Sequence, residues 1–495
     1  MRAPVICGRG KVRIDAVICV LGWLLAWLSL SMLAPVFGAL IAGDIENAKI
    51  FFYAAALTSF FAGAIIISLR GKQDGLTGRG SLLLIALAWI IVPVFAAVPL
   101  YFSGVIFSPG KALFEAVSGF TTSGATVLSH LDRQPAAILL WRAILQWLGG
   151  LFTVIAASGI LVFRGIGGLH QHSALMPHGD GQSLSGRLRQ VARALLGVYA
   201  GLSLLCFLGL WAAGMPVFDA LCHALSTVST GGFSTRDASI GAFDSPRIEA
   251  VAALFMILGA MNMALHWAAA NGHWRGYRQD PEMRYFGAAL IATVACVFAA
   301  LYASDYRADA PDFRWALFNS VSFLTTTGYW TGNITGAPLP VALILIVAVL
   351  VGGVTASTSG GFKLMRAALV IKQSWLELAR LISPNEVLRL RYGQLPVADT
   401  RIAAVWTVFI GLSFFIALET ILIGLTGPGF DQSFALAAAS ISNTGAAAAP
   451  FYPGPPAPYA ALGESTRALA MLGMIAGRVE VLTLLSLLSP AFWRG

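Results

Sequence analysis

The sequence predicts an all-α polytopic membrane protein. Two extra N-terminal transmembrane helices precede four pseudo-symmetric helix–pore-loop–helix repeats around one axis. Three observations predict it. Apolar residues make up 57% of 495 and charged residues 11%, with a mean hydropathy of +0.77, whereas a soluble domain carries about a quarter charged. Apolar runs, seven of them uncharged, recur at bilayer-crossing length. Four hydroxyl-rich strings, each closing on a glycine, recur at near-regular intervals.

The runs come first. Ala16–Ala42 and Ile50–Leu69 fill the N-terminal segment 1–80, and the first is too long for a signal-peptide core, so it reads as a retained helix. Ser81–Ser103, Ala143–Phe163, Ala194–Phe218, Ala250–Trp274, Tyr285–Ser304, Pro338–Ala379, Arg401–Thr426 and Ala468–Pro490 follow. Each exceeds or approaches the ~20 residues that a span needs. Charge gives the orientation. The N-terminus (Arg2, Arg9, Lys11, Arg13), the loops 70–80, 164–193 and 275–284, the stretch 363–401 and the tail hold 22 of the 32 Lys and Arg. That bias places them, and both termini, in the cytoplasm. The +9 net charge therefore reports topology and lipid contact, and no basic run implies a nucleic-acid partner. Cys7, Cys19, Cys206, Cys222 and Cys296 are scattered, which indicates neither a disulfide framework nor a metal site.

The repeats occupy 81–170, 190–280, 285–385 and 395–495. In each, a spanning helix is followed by a short apolar segment: Lys111–Phe120, Pro216–Val228, Phe313–Leu324 and Asp431–Ile441. At ~1.5 Å per residue these cannot cross a ~30 Å core, so they dip in and return. A string follows each one. The strings are Thr121, Thr122, Ser123, Gly124; Ser229, Thr230, Gly231, Gly232; Thr325, Thr326, Thr327, Gly328; and Ser442, Asn443, Thr444, Gly445. Their last glycines are 108, 96 and 117 residues apart, a repeat that argues for one shared axis. Irregular backbone is tolerated at membrane depth only where protein buries it or water reaches it. Four strings meeting on an axis satisfy that rule and make a central ion pore.

The chemistry follows from what a dehydrated cation needs. Backbone carbonyls replace its water without burying charged side chains. Glycine reaches the conformations that aim successive carbonyls at one axis, and the short helices turn their negative C-terminal ends inward. Asp219 and Asp431 near helix starts, and Glu115 further inside, read as caps and loop tethers. His223 and His266 read as packing residues.

With "SGFTTSGATV" (118–127), "FDALCHALSTVSTGGFSTRDAS" (218–239), "FNSVSFLTTTGY" (318–329), "SNTGA" (442–446) and "GRVE" (477–480), the chain resembles the TrkH/KtrB group of the potassium-transporter superfamily. The resemblance runs over essentially its whole length. It implies uptake of K⁺ through a selectivity filter, with K⁺ held at Thr122, Ser123, Thr230, Gly231, Thr326, Thr327, Asn443 and Thr444. Gly124 stands where serine goes with Na⁺ preference, which tilts the expectation to K⁺. The resemblance also implies a homodimer on a cytoplasmic ring of nucleotide-binding regulatory subunits, in the inner membrane. The loops 164–193 and 363–401 are the expected docking surfaces, and lipid headgroups explain them nearly as well. In the fourth string the alanines of "SNTGAAAAP" stiffen its exit.

Two further features bear on gating. "GGVTASTSGG" (352–361) interrupts the third repeat's returning helix, and each glycine costs a helix interior ~1 kcal/mol against alanine. Gly352, Gly353, Thr355, Ser357, Ser359, Gly360 and Gly361 are the expected gate, at the place of the intramembrane loop in the resembling family. A plain helix kink is the competing reading, and a phosphate loop lacks its Gly-Lys-Ser/Thr. Arg478 lies mid-helix, where a guanidinium faces an interior. It is expected in the pore below the filter as a barrier, like the family's pore arginine, or else in a salt bridge to Glu419. Glu480, two residues on, does not share its face. An enzyme finds no HExxH, GxSxG or paired aspartates here, and no cofactor is implied. A secondary transporter of organic solutes, or a Na⁺-permeable or cation-coupled symporter of the same fold, are the alternatives.

Overall fold

The computed structural model describes residues 12–72, 75–158, 184–304, 312–385, 389–393, 395–452 and 458–479, with 483, 486–487 and 489–493. Arg2, Cys7, Arg9, Lys11, the 164–183 part of the loop 164–193, Glu480 and the tail arginine lie outside the described residues. The chain is almost wholly helical. An antiparallel ribbon pairs Arg391–Tyr392 with Leu395–Pro396.

The N-terminal pair is α1 (Ile14–Ser31), continued by α2 (Leu33–Ile41), and α3 (Ile45–Ser68), which pack together and against the first repeat. Each repeat then has three parts. The first has α4 (Gly78–Phe102), the short α5 (Pro109–Phe120) and α6 (Ala136–Ala156). The second has α7 (Leu184–Ala212), the short α8 (Val217–Val228), α9 (Pro246–Ala260) and α10 (Met263–Ala270). The third has α11 (Pro281–Ala303), the short α12 (Asp312–Leu324), α13 (Leu339–Val351) and α14 (Leu364–Ile382). The fourth has α15 (Asp399–Gly424), the short α16 (Phe430–Ile441) and α17 (Glu464–Val479).

Local chemistry starts the short helices. Ser108 accepts the N–H of Lys111 and Pro109 opens α5, while Pro216 precedes α8 and Asp219 sits in its first turn. Proline there gives up a donor that the first turn leaves unpaired anyway. The short helices have 12 or 13 residues, about 18–20 Å of rise, less than a membrane core.

Packing closes the four repeats into a ring. Each short helix lies between the two long helices of its own repeat and also packs against the returning helix of the repeat before it. Thus α8 meets α6, α12 meets α9, α16 meets α13, and α5 meets α17. That last contact joins the fourth repeat to the first. Outward faces carry exposed apolar side chains such as Phe37, Ile67, Phe107 and Tyr302. Among the described residues seven helical stretches are long and apolar enough to cross a membrane, and the bent pair α9–α10 makes an eighth. The chain is a multi-pass membrane protein.

The spans differ from the sequence reading in one place. Of the ten expected, 338–379 is two helices separated at 352–363, in line with the break expected at 352–361, and within 468–490 the helix α17 is described to Val479. The run 250–274, read as one unbroken span, bends by 98° between α9 and α10. Met261 is extended, and the Asn262 side chain caps α10 by accepting the N–H of Ala264. A short polar side chain that bonds its own backbone competes with the helix ladder, so the chain carries two breaks instead of one.

A buried ion pair joins two helices of the first repeat and reaches the second repeat. Arg142 of α6 donates to Glu115 of α5 at 2.7 Å, to Thr126 at 3.1 Å and to the Ser234 carbonyl at 3.2 Å. Glu115 also accepts from Thr126 and from the N–H of Val127. The acid is a tether, as expected. Replacing Glu115 with alanine leaves a buried guanidinium without its counter-charge, at a cost of about 3–5 kcal/mol. The expected result is a lower unfolding midpoint in detergent, with Glu115→Gln losing less.

Candidate cation pathway

Each short helix ends in the same turn. The first residue of each string is the helix cap, and the second (Thr122, Thr230, Thr326 and Asn443) takes a left-handed φ of 50–58°. The third residue's N–H reaches back five residues, Ser123 to Ser118, Gly231 to Ser226, Thr327 to Ser322 and Thr444 to Ala439, at 2.8–2.9 Å. The second residue's N–H reaches back three, at 3.0 Å in every string. This is a Schellman turn, usually built on glycine or asparagine. Three of the four strings instead place β-branched threonine there, a strained choice of the kind found at functional sites.

The fourth residues complete the pattern with one exception. Gly124, Gly232 and Gly328 have φ of +71°, +79° and +81°. Gly445 does not adopt a left-handed φ and opens a 3₁₀ turn over Gly445–Phe451. The alanines that follow are compatible with that tight turn. Glycine is still required at 445, because a Cβ would lie 2.4 Å from the Ala125 nitrogen.

The strings touch in a closed sequence. A Cβ on Gly124 would lie 2.2 Å from the Gly231 carbonyl, and one on Gly232 would lie 2.1 Å from that of Thr327. Gly328 faces Thr444 and Ala446. The ring closes where the Gly445 N–H donates to the Ser123 carbonyl at 2.5 Å and Asn443 donates to the Ser123 hydroxyl at 3.0 Å. Gly124, Gly232, Gly328 and Gly445 therefore lie on neighbouring strings around one centre. All the string residues are buried except Gly124, which is half-buried. Among the described residues no three His, Cys, Asp or Glu side chains gather at one point.

The broken segment of the third repeat lies against the helix-proximal end of this ring. Gly352 and Gly361 pinch its neck, with φ of +72° and +76° and no room for a Cβ on either. Thr355 donates to buried Glu282 through both its N–H and its hydroxyl, at 2.8 and 3.0 Å. The Ser357 and Ser359 hydroxyls pair at 2.7 Å, and Gly353 packs against Ser359. Gly360 donates to the Thr326 hydroxyl at 2.6 Å and abuts the Ser442 carbonyl. Thr358, absent from the expected gate residues, accepts from the Thr230 hydroxyl at 3.1 Å and donates to the Gly259 carbonyl at 2.9 Å.

Arg478 completes the closure. Its guanidinium donates to the Thr121 carbonyl at 2.7 Å, to the Thr122 hydroxyl, and to the Thr358 and Ser359 carbonyls at 2.9 and 3.3 Å. Loop and arginine together thus contact all four strings. The Glu419 carboxylate has no hydrogen-bond partner among the described residues and lies against Gly473, so the bridge to Arg478 does not form. Beside the loop and Arg478 lies a cavity of about 70 Å³, bordered by Trp89, Ser357, Ile441 and Lys363, room for a few waters only.

The break between α9 and α10 serves the same loop. The Ala260 carbonyl accepts from Val354, that of Gly259 from Thr358, and the N–H of Met263 donates to Ala356. His266 bonds the Leu258 carbonyl at 2.9 Å and the Tyr277 hydroxyl at 2.6 Å, and His223 bonds the Asp219 carbonyl and Ser234. Both histidines are satisfied packing residues. Glu282, Asn262, Thr358 and Gln146, a helix residue behind the second string, escaped the sequence reading. Asn262 alone carried a signal, as a helix-capping residue inside an apolar run.

Residues 51–494 match the family of TrkH cation transport proteins. The Trk system potassium uptake protein TrkH of Halomonas elongata is 36% identical over 485 residues, covering 96% of this chain and 98% of the relative. The protein of the same name from Escherichia coli is 34% identical over 490 residues, covering 97% and 99%. The crystal structure of the potassium transporter TrkH from Vibrio parahaemolyticus superposes with a TM-score of 0.86 at 31% identity, covering 97% of this chain and all of that one. The four-string ring, the arginine beneath it and these full-length matches lead to one conclusion: the chain belongs to the TrkH family of cation transport proteins.

Proposed function

We propose that this protein takes up potassium across the inner membrane, through a selectivity filter made of the four strings and a gate made of the 352–361 loop with Arg478. The observation that carries the reading is the closed sequence of contacts from Gly124 through Gly232 and Gly328 to Gly445 and back to Ser123. Such a ring can replace a cation's hydration shell with fixed oxygens, and the helix ends behind it favour positive charge. The second and third residues of each string, Thr122 and Ser123, Thr230 and Gly231, Thr326 and Thr327, Asn443 and Thr444, are the K⁺ ligands in this reading. Both termini face the cytoplasm. A homodimer seated on a ring of nucleotide-binding subunits fits the absence, among the described residues, of a soluble domain large enough to bind a nucleotide. The chain acts as a transporter rather than an enzyme and needs no cofactor. The non-left-handed Gly445 is the one observation that favours weaker discrimination against Na⁺.

Rubidium uptake into cells lacking their own potassium uptake tests the filter. Gly328→Asp, at φ +81°, is expected to abolish uptake while the protein still inserts; unchanged uptake would remove the ring from the pathway. Competition by K⁺ and by Na⁺ in the same assay decides selectivity. Arg478→Ala removes four bonds that hold the loop to the first string. Flux per inserted molecule is expected to rise severalfold, and a folded variant with equal or lower flux would rule out the barrier.

A further inference from the structure

The third position of the strings is occupied unequally. Ser123 and Thr327 carry hydroxyls that pair with the first residue of their own strings, Thr121 at 2.9 Å and Thr325 at 2.8 Å. Thr444 bonds the Ser442 carbonyl at 3.3 Å. The second string has Gly231. Its backbone gives no reason for a glycine, because its φ is not left-handed. Space gives the reason. A Cβ on Gly231 would lie 2.4 Å from Cδ and 2.5 Å from Oε1 of Gln146.

Gln146 comes from α6, in the first repeat, and is fully buried. Its Nε2 donates to the Gly231 carbonyl at 2.6 Å. Its Oε1 accepts from the Ser226 hydroxyl at 2.6 Å and from the N–H of Phe233 at 3.1 Å. The carboxamide therefore grips the second string before, at and after its glycines. The carbonyl it holds is the one that stands over Gly124, at the seam between the first two strings.

We propose that Gln146 supplies from another helix the third-position side chain that the second string lacks, and that it sets the Gly231 carbonyl for the transported monovalent cation. It is a positioning residue, and the inference rests on the uptake reading above. Amide and hydroxyl are both neutral hydrogen-bonding groups, so one can stand in for the other without adding charge to the ring. A carbonyl pinned by a buried donor keeps its direction when the cation leaves.

The test is a cycle of three variants, Gln146→Ala, Gly231→Ser and the two combined. Each is assayed for rubidium uptake per inserted molecule with K⁺ and Na⁺ as competitors. Each single variant is expected to lower the preference for K⁺ over Na⁺ about tenfold, one by losing the donor and the other by collision. The double variant regains most of that preference, because the serine enters the vacated space. Singles that multiply in the double variant would overturn the proposal. Gln146→Met keeps the volume without a donor, so it covers the case in which alanine prevents insertion. A reduced K⁺ preference is expected from it, and an unchanged one would overturn the role of the amide. If the wild-type chain carries no rubidium, the uptake reading falls. If it carries rubidium and the variants merely multiply, only the role of Gln146 falls.

Discussion

The Schellman turn at the end of each short helix is the interaction on which the rest depends. At bilayer depth no water waits for a freed N–H, so a helix can stop there only if its last carbonyls are taken up at once. Two backbone bonds per turn do this in all four repeats, at nearly identical lengths. Beyond the turn the chain leaves the helix, as an irregular string in the first three repeats and as a 3₁₀ turn from Gly445 in the fourth. Four such strings then have to meet, since only their neighbours can bury them.

The same constraint explains why the two broken helices lie together. Ending α9 at Ala260 frees the carbonyls of Gly259 and Ala260, and opening the third repeat at Gly352 frees the N–H groups of Val354 and Thr358. Each break satisfies the other. Neither would be stable against lipid, and neither would be satisfied by a straight helix. Glu282 and Lys363 anchor the loop from the opposite side, through Thr355 and Ser359. The loop is thus held from both sides by hydrogen bonds.

The ring is fourfold in plan and unequal in support. The seam of the first and second strings is backed by Glu115, Arg142 and Gln146, with the Arg142 guanidinium over the Phe233 ring at 4.0 Å. Behind the fourth string stand small side chains, Ala437 to Ala439 and Ala447 to Ala449, all buried. Tyr459 there holds the Gly445 carbonyl at 3.0 Å. Polar groups with fixed directions define carbonyl positions more sharply than alanine contacts do. The exceptional φ of Gly445 falls on the alanine-backed side.

The strings, the short helices before them and the glycine break were all legible in the sequence, because each is a local composition against an apolar background. Arg478 was legible as an interior residue for the same reason: its charge has few places to go in a membrane. The pairing of Arg478 with Thr121 and Thr358 over Glu419 was not, since it depends on how α17 turns against α5. Nor were the bend at Met261, the role of Glu282 or the match of Gln146 to Gly231, which join residues 73 to 85 positions apart or hinge on one capping asparagine. Sequence alone determined that four backbone segments leave their helices inside the membrane. Tertiary structure decided which groups satisfy what the local turns leave unpaired, because those partners come from neighbouring helices and strings and not from the adjoining chain.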